Sequence, residues 1–326
     1  MGAGSHARPG GRLVTPSVAA VAVVGAGAVG QAIGGALVTA GLADELLVAS
    51  RTREQAAALA DDLDDMRAAL SSPTRPRPAA VEELQHCEAI VVAVRARFVN
   101  DRSSDVRMGG ARANAPAVRQ LAAELRGYPG TVLMVTNPVD LLTRLLAEES
   151  GAARVFGIGS NLDSARYRLT VARLLDVPVD RVRGHVIGEH GDAAVVCASS
   201  TTVNGDRAVV PLDAVRAELA GRPARINEAV GRTRYGPAGA VVATLRLALG
   251  AEDGTTELSV LRGSDCFGIP LSFTGGQPLP SVPPLDPSEA DGLQAARTKL
   301  HAAYAAVLGI PTHPSGGARD DSRSTP

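Results

Sequence analysis

Short apolar runs alternate with amphipathic segments along the first half of the chain. The run Val18–Val24 is rich in valine and apolar at every position, which is typical of a strand buried on both faces of a parallel sheet. The segment Gln31–Ala40, closed by Gly41, has helical spacing. Further runs of the buried-strand kind are Glu45–Ala49, Glu88–Val94 and Thr131–Val135. This alternation predicts an α/β fold with a doubly wound parallel sheet.

The second half of the chain mixes helical patterns with strands that are expected to run antiparallel. We expect helices at Leu141–Glu149 and Leu162–Leu175, and a short strand at His185–Ile187. The remaining expected elements are strands at Glu257–Leu261 and Cys266–Pro270 and a last amphipathic helix at Pro287–Leu308. The apolar stripe of that last helix should pack into the core, and consists of Ala290, Leu293, Ala296, Leu300, Ala303 and Val307. The pattern predicts that an α+β substrate domain follows the parallel sheet.

A glycine-rich turn directly follows the first predicted strand and precedes the first predicted helix. Gly25–Gly30 reads GAGAVG, and the strand–turn–helix context makes this GxGxxG pattern specific for dinucleotide binding. The glycines let the backbone turn tightly and approach a pyrophosphate, whose charge is met by the helix N-terminus. The sequence therefore predicts a Rossmann-type domain. The residues expected to bind the cofactor at this turn are Gly25, Gly27, Ala28, Val29 and Gly30.

The residue after the second predicted strand bears on the choice of cofactor. NAD-binding folds place an acidic residue there, about 20 residues beyond the glycines, to bind the ribose hydroxyls. Here Ser50 stands in that place, followed by Arg51, Thr52 and Arg53. A hydroxyl and a guanidinium would bind the 2′-phosphate that an acid repels. We therefore expect NADP(H), with Ser50 and Arg51 as its main contacts and Arg53 as a further one. The alternative is that Ser50 or Thr52 only caps a helix.

Two compact signatures in the middle of the chain carry groups suited to reducing a 2-keto acid. Asn161–Arg166 (NLDSAR) puts Asp163 and Arg166 on one helix face, and Gly188–Asp192 (GEHGD) puts His190 in a glycine-flanked turn. An imidazole can protonate the nascent alkoxide, and a carboxylate can hold its tautomer. A guanidinium can clamp the substrate carboxylate with two parallel hydrogen bonds. Taken alone, Asp163 and Arg166 would be an ordinary salt bridge and His190 an ordinary turn histidine. Taken together, the three residues favour a catalytic site.

These signatures, the glycine turn and Asn137–Asp140 (NPVD) resemble the lactate/malate dehydrogenase family, in the same order along the chain. The resemblance implies an oxidoreductase that moves a hydride between nicotinamide C4 and C2 of a small 2-keto or 2-hydroxy acid, with an L product. It implies that Arg166 grips the C1 carboxylate and that His190, held by Asp163, donates the proton. The family's NADP-dependent malate dehydrogenases carry a similar Gly-Ser-x-Arg-Ser replacement after the second strand.

The same resemblance implies a mobile loop that closes over the substrate and brings in an arginine to polarise the keto oxygen. The stretch Asn114–Arg119 (NAPAVR) matches the family and sets the register, which puts Arg107 in that role. The family's Arg-x-Pro-Gly-x-x-Arg pattern is missing, and extra residues precede Arg107. For a distal substrate carboxylate, Arg102 is the first candidate, and Arg97 and Arg95 compete with it.

Further site residues follow from the resemblance. Asn137 matches a residue that touches the substrate oxygen and the nicotinamide, although Asn-Pro alone is an ordinary turn starter. Asn114 matches a residue that packs near substrate and cofactor. Thr233 stands where lactate enzymes usually place Thr, whereas Tyr235–Ala238 resembles malate-type members. These two hints conflict, so the identity of the 2-keto acid stays open.

The composition of the chain limits the kinds of partner that it is expected to bind. The 326 residues are 45% hydrophobic and 21% charged with a net charge of −1, which is typical of a soluble globular protein that binds neither nucleic acid nor an anionic membrane. The apolar runs are too short to span a bilayer, and the three cysteines lie far apart, so we expect a cytoplasmic protein without a disulfide framework or a metal site. The resemblance implies a homodimer or homotetramer.

Domain boundaries follow from the same patterns. We expect flexible tails at 1–16 and 311–326, a dinucleotide-binding domain at 17–158 and a catalytic domain at 159–310.

Two other functions compete with the dehydrogenase. The altered loop suggests a family member that binds cofactor but acts as a sensor or scaffold. A metal hydrolase is suggested by His185 and His190 around Glu189, but the spacing fits neither HExxH nor HxxEH, and Gly188 argues against a helix.

Overall fold

The computed structural model describes residues 18–96 and 110–309. Its helices are α1 (Ala28–Ala40), α2 (Arg53–Leu70), α3 (Ala111–Glu124), α4 (Val139–Ser150), α5 (Ser160–Leu174), α6 (Leu212–Val230), α7 (Tyr235–Ala248) and α8 (Pro287–Leu308). Its strands in the first half are β1 (Val18–Val24), β2 (Ala43–Ala49), β3 (Arg75–Pro78), β4 (Ala89–Val92), β5 (Thr131–Met134) and β6 (Val155–Gly157). Those in the second half are β7 (Val182–Arg183), β8 (Val186–Gly188), β9 (Ala194–Val196), β10 (Thr202–Val203), β11 (Asp206–Arg207), β12 (Gly254–Arg262), β13 (Asp265–Thr274) and β14 (Gln277–Pro280).

The main sheet confirms the predicted α/β architecture. Its first six strands are parallel, in the order β3-β2-β1-β4-β5-β6. The order reverses between β1 and β4, and open parallel sheets bind ligands at such a switch point, outside the carboxyl ends of the strands. The sheet continues antiparallel through β12, β13, β8 and β9, while β14 pairs with β13. The predicted antiparallel strands of the second half are therefore present, and they join the same sheet.

Both faces of the parallel sheet are buried, which explains why its strands are apolar at every position. In β1, Val21 and Val23 join one core while Ala22 and Val24 join the other. Helices α1, α2 and α7 pack on the first face, through residues such as Ile33, Leu59 and Val241. Helices α3, α4 and α8 cover the second face, through residues such as Val118, Leu142 and Leu300. Burial of this apolar surface is the main source of stability for the fold.

The last helix spans the predicted range but not the whole predicted stripe. Within α8, Ala296 and Leu300 are buried, whereas Ala290 is exposed, so that part of the prediction is wrong. The cause lies in the first turn, where Asp286 and Glu289 form a capping box and the Glu289 carboxylate also bonds Ser199. The first turn of α8 is thus held by polar bonds rather than by its alanine.

No helix within residues 18–96 and 110–309 is both long and apolar enough to cross a membrane. The tails predicted at 1–16 and 311–326 lie outside the described residues, as do Arg97, Arg102 and Arg107.

Candidate active site

The glycine turn after β1 leaves a cradle beside the N-terminus of α1. Gly25 has a φ of 120°, and a Cβ at that position would lie 2.5 Å from the Ala93 carbonyl oxygen. A Cβ on Gly30 would lie 1.7 Å from the Gly25 oxygen, so neither position accepts a side chain. Above Gly27 the space is open, and no side chain caps the helix, which begins with Ala28 and Val29. A closely approaching backbone and an uncapped helix N-terminus fit the pyrophosphate of a dinucleotide.

The segment after β2 lies next to this turn. The Gly25 amide donates to the Ala49 oxygen at 2.8 Å, which brings Ser50 to the edge of the cradle. The Ser50 hydroxyl donates to Gln55 Oε1 at 3.1 Å. Thr52 caps α2, because its Oγ1 accepts from the Gln55 amide at 3.3 Å. The capping alternative therefore holds for Thr52 and not for Ser50.

Two arginines flank that cap. Arg51 and Arg53 are exposed to solvent. Exposed guanidiniums at the rim of a cradle can turn toward an anion without leaving a buried partner unsatisfied.

An imidazole and a carboxylate meet at the carboxyl side of the sheet. His190 follows β8, and its Nδ1 lies 2.6 Å from Oδ2 of Asp163 in the first turn of α5. The two side chains are only 9% and 11% exposed, so the contact is shielded from water. A carboxylate at Nδ1 favours the tautomer that carries its proton there. Nε2 is then the nitrogen available to exchange a proton with a bound molecule.

The same carboxylate also meets a guanidinium. Arg166 Nη1 lies 3.4 Å from Asp163 Oδ1, and the arginine is buried despite its charge. The amide of Asp163 donates to the Gly159 oxygen at 3.0 Å, and a Cβ on Gly159 would lie 2.5 Å from His190 Cγ. The backbone at the start of α5 therefore packs directly against the imidazole. The structure brings His190, Asp163 and Arg166 together.

Asn114 ties the start of the loop to the turn after β5. Its Oδ1 accepts from the Ala96 amide at 2.8 Å, and its Nδ2 donates to the Asn137 oxygen at 2.9 Å. The Asn137–Pro138 bond is cis, and the Asn137 residue is exposed at the carboxyl edge of the sheet. Asn114 is buried and fixes this edge, while its contact with a cofactor stays a prediction.

Thr233 and Arg95 lie near the same edge. A Cβ on Gly236, in the first turn of α7, would lie 3.0 Å from Leu162 Cδ1 and 3.6 Å from Thr233 Cγ2. The Thr233 turn thus lies against the helix that carries Asp163. Partial burial, followed by the positive charge of Arg232, lowers the pKa of Arg95. The positive charges of Arg95 and Arg232 therefore repel each other, and an anion bound near them would reduce that repulsion.

Sequence reasoning missed a second carboxylate near the imidazole. Asp140 is buried in the first turn of α4, and its Oδ2 accepts from the backbone amide of His190 at 2.8 Å. Its Oδ1 accepts from the Ser259 hydroxyl at 2.5 Å. Burial raises the pKa of Asp140 to about 6, and the hydrogen bonds from Ser259 and His190 oppose that rise. The available signal was an acidic residue within the otherwise apolar start of a helix.

The glutamate of the GEHGD signature has a structural use. Glu189 is buried, and its Oε2 lies 2.8 Å from Lys299 Nζ and 3.0 Å from the Ala193 amide. These bonds hold the turn that carries His190.

The two histidines of the hydrolase alternative have different partners. His185 Nδ1 contacts Glu257 Oε1 at 2.6 Å, and Arg168 donates to the same oxygen at 2.9 Å. Val186–Gly188 between the histidines is a strand rather than a helix. This geometry weighs against a shared metal site at the two rings.

Two family models match most of the chain. The lactate/malate dehydrogenase NAD binding domain matches residues 19–157, and the lactate/malate dehydrogenase alpha/beta C-terminal domain matches residues 160–303. The chain belongs to the lactate/malate dehydrogenase family. It is therefore a lactate/malate dehydrogenase-type oxidoreductase with a nicotinamide cofactor domain.

Curated relatives of this family cover most of the chain. An L-lactate dehydrogenase from Thermus aquaticus is 33% identical over 74% of this chain and 81% of its own length. An L-lactate dehydrogenase from Staphylococcus epidermidis is 29% identical over 78% of this chain and 73% of its own.

Solved structures of the family have the same fold. The minor L-lactate dehydrogenase of Enterococcus mundtii is 27% identical and superposes with a TM-score of 0.81, over 89% of this chain and 98% of its own. The malate dehydrogenase of Aeropyrum pernix is 25% identical with a TM-score of 0.77, over 89% and 98%. This chain is thus similar to family members named for either substrate.

Proposed function

We propose that this family member reduces a small 2-keto acid to the L-2-hydroxy acid with NADPH, and catalyses the reverse reaction with NADP⁺. The observation that carries the proposal is the 2.6 Å contact between His190 and Asp163, with Arg166 on the same carboxylate. It supplies a proton donor, its stabilising anion and a carboxylate-binding cation within one cleft.

In the reducing direction, each residue is proposed to have a separate role. Arg166 binds the C1 carboxylate and orients the substrate, and Arg107 polarises the C2 carbonyl. A bound nicotinamide would supply the hydride that reduces C2. His190 gives its Nε2 proton to the C2 oxygen, and Asp163 stabilises the imidazolium before that transfer. Asn137 is proposed to contact the substrate oxygen and the nicotinamide side of the cleft.

The cofactor preference rests on the segment after β2. Ser50 lies at the edge of the cradle, and no acidic residue stands in its place to repel a 2′-phosphate. Arg51 and Arg53 are exposed beside it and can pair with that phosphate. These features support NADP(H) rather than NAD(H), although the matched family model is described as NAD binding.

Recognition of a distal carboxylate on the substrate depends on the loop arginines. Arg102 stays the first candidate for a distal carboxylate, and Arg97 and Arg95 compete with it. The positive charge of Arg232 lowers the pKa of Arg95, so an anion near these two residues would be stabilised. A comparison of Arg95→Ala, Arg97→Ala and Arg102→Ala decides between them. The variant that lowers kcat/KM for oxaloacetate much more than for pyruvate identifies the contact.

An initial-rate screen tests the proposed function. The purified protein is assayed with NADPH and with NADH on a panel of mono- and dicarboxylic 2-keto acids. We expect turnover of at least one acid, with a higher kcat/KM for NADPH. A preference for NADH contradicts the cofactor assignment, and NADPH binding without turnover on the whole panel favours the sensor or scaffold alternative.

We also propose a homodimer or homotetramer in the cytoplasm. Helix α6 supports an assembly, because Val215 is its only buried residue and Val230 and Tyr235 beside it are largely exposed. Light scattering after gel filtration measures the mass in solution, and a monomer at all concentrations contradicts this part.

A further inference from the structure

His190 is held at two points by two different carboxylates. Asp163 contacts the ring at Nδ1, as described above, whereas Asp140 accepts a hydrogen bond from the backbone amide of His190 at 2.8 Å. The two acids come from different helices, α5 and α4. With the ring and the backbone both fixed, the direction of Nε2 is set by the protein rather than by the substrate.

The carboxylate of Asp140 is itself held rigidly. Ser259 on β12 donates to its free oxygen at 2.5 Å, and both Asp140 and Ser259 are buried. Asp140 follows the cis Asn137–Pro138 bond at the start of α4, so it also links the Asn137 turn to the His190 turn. One side chain therefore connects two separate parts of the candidate active site.

The charges around Asp140 include both signs. The His190 imidazole favours the ionised carboxyl group, and Glu189 in the same turn opposes it. Glu189 is in turn paired with Lys299 of α8, and the Asp163 carboxylate, contacted by Arg166, lies at Nδ1 of the ring. The small cavity that reaches Asp140 is also lined by these ionisable residues: Arg144, Asp265, Cys266, Arg297 and His301.

We propose that Asp140 is a positioning residue for proton transfer in the reaction proposed above: its carboxylate, oriented by Ser259, holds the His190 backbone and favours the protonated imidazole. The inference rests on the proposed function for its catalytic meaning. Because Asp140 hydrogen-bonds the backbone rather than the ring, it acts through His190 and need not touch the substrate. In the ionised form it adds a negative charge near the imidazole, which stabilises the imidazolium.

Replacement of Asp140 by asparagine tests the proposal. Asp140→Asn keeps the shape of the side chain, removes the charge and weakens the charge-assisted bond to the His190 amide. We expect kcat to fall about tenfold, which is about 1.4 kcal/mol in the barrier, with NADPH affinity unchanged, because the bond to the His190 amide loses its charge assistance. The alkaline limb of the reduction profile should move to lower pH, because the imidazolium loses a stabilising charge.

A second variant and a matched control complete the test. Ser259→Ala keeps the Asp140 carboxylate but removes one of its two hydrogen-bond donors. The fall in kcat and the shift of the pH profile should therefore occur but be smaller. Asp65→Asn makes the same charge change at an exposed position of α2 and should leave kcat and the pH profile as in the wild type. If Asp140→Asn does not fold, Ser259→Ala decides the question.

NMR titration of the His190 ring separates this inference from the proposed function. The His190 signal, assigned with His190→Gln, should titrate at lower pH in Asp140→Asn than in the wild type, whether or not turnover is found. If the wild type shows no turnover but the ring titration moves in Asp140→Asn, the proposed function is contradicted. The effect of Asp140 on His190 is then still supported. The inference is overturned if Asp140→Asn folds, keeps kcat within twofold of the wild type and leaves the ring titration unmoved. If Asp140→Asn does not fold, a Ser259→Ala variant indistinguishable from the wild type overturns it.

Discussion

At the scale of single residues, Asp163 has the most demanding position, because it meets an imidazole and a guanidinium at once. Its Oδ2 lies 2.6 Å from His190 and its Oδ1 lies 3.4 Å from Arg166, with all three side chains nearly inaccessible. In such a low-dielectric setting, removing the carboxylate charge takes away an anion beside a buried guanidinium and leaves the imidazole tautomer undefined.

Asp163→Asn tests that position. We expect kcat for keto-acid reduction to fall on the order of a hundredfold or more, because the amide cannot stabilise an imidazolium. NADPH affinity, measured by calorimetry, should stay within about twofold of the wild type because the cradle is not altered. A variant with normal kcat contradicts the assignment of Asp163.

Cofactor choice is also decided at this scale. Ser50→Asp combined with Arg51→Ile places an acid where the ribose hydroxyls are expected and removes a phosphate partner. The ratio of kcat/KM for NADPH to that for NADH should fall on the order of a hundredfold, because two polar contacts are lost and a repulsion is added. Arg53→Ile alone should lower the same ratio less. An unchanged ratio in the double variant contradicts the role of this segment.

At the scale of elements, four of the described candidate residues are placed by the end of a strand or the start of a helix. Ser50 follows β2, Asn137 follows β5 and His190 follows β8, while Asp163 lies in the first turn of α5. The glycines at 25 and 159 bring these ends close, because any side chain there would meet backbone or imidazole. The elements thus act as rigid supports for residues that are distant in the sequence.

The cap of α2 gives a prediction that belongs to this scale. Thr52→Ala should lower the free energy of unfolding by about 1 kcal/mol, because the Gln55 amide loses its acceptor. The preference for NADPH should not change, since Thr52 serves the helix rather than the phosphate. Chemical denaturation and initial rates measure the two effects, with Thr52→Ser as the control that keeps the hydroxyl. A change in cofactor preference contradicts a purely capping role.

Local patterns predicted the elements well where burial is regular along the chain. Strand β1 and helix α8 have the predicted bounds, whereas α1 begins at Ala28, three residues before the helical pattern becomes readable. Strand β3, with sequence RPRP, was not predicted because proline is rare in strands; it is tolerated here because β3 pairs only with β2 at the sheet edge.

The candidate site was predictable only where a motif marks it. The NLDSAR and GEHGD signatures pointed to the residues that meet at His190, because each carries its chemistry within a few positions. Asp140 was missed because its partners lie 50 and 119 positions away along the chain, at His190 and Ser259. Contacts of that range come from the packing of α4 on β12, which no local pattern reveals.

At the scale of the whole molecule, one sheet joins the two halves of the chain. Antiparallel β12 pairs with parallel β6, so the candidate site lies where the two kinds of pairing meet. Asp140 and Ser259 are on the two sides of this junction and are hydrogen-bonded to each other. The ionisable carboxyl group of Asp140 is therefore buried in the interior. The pH dependence of global stability should therefore carry a contribution from Asp140.

Burial raises the Asp140 pKa from 3.8 to about 6, so the folded state binds this proton more tightly than the unfolded state does. The resulting stabilisation is fully present below about pH 3.8 and is lost as the pH rises through about 6, a change of about 3 kcal/mol. Urea unfolding at several pH values, with Asp140→Asn as reference, measures it. The stability of the wild type relative to the variant should fall across this window, and parallel curves contradict the prediction.

In the proposed reaction, His190 transfers the proton to the substrate oxygen beside a bound nicotinamide. The most direct measurement compares NADPH oxidation by the wild type and by His190→Ala on the best 2-keto acid, with NADPH binding measured in parallel. His86→Ala, at an exposed histidine, is the matched control. We expect His190→Ala to bind NADPH normally and to lose turnover by several orders of magnitude. Turnover near that of the wild type would contradict it.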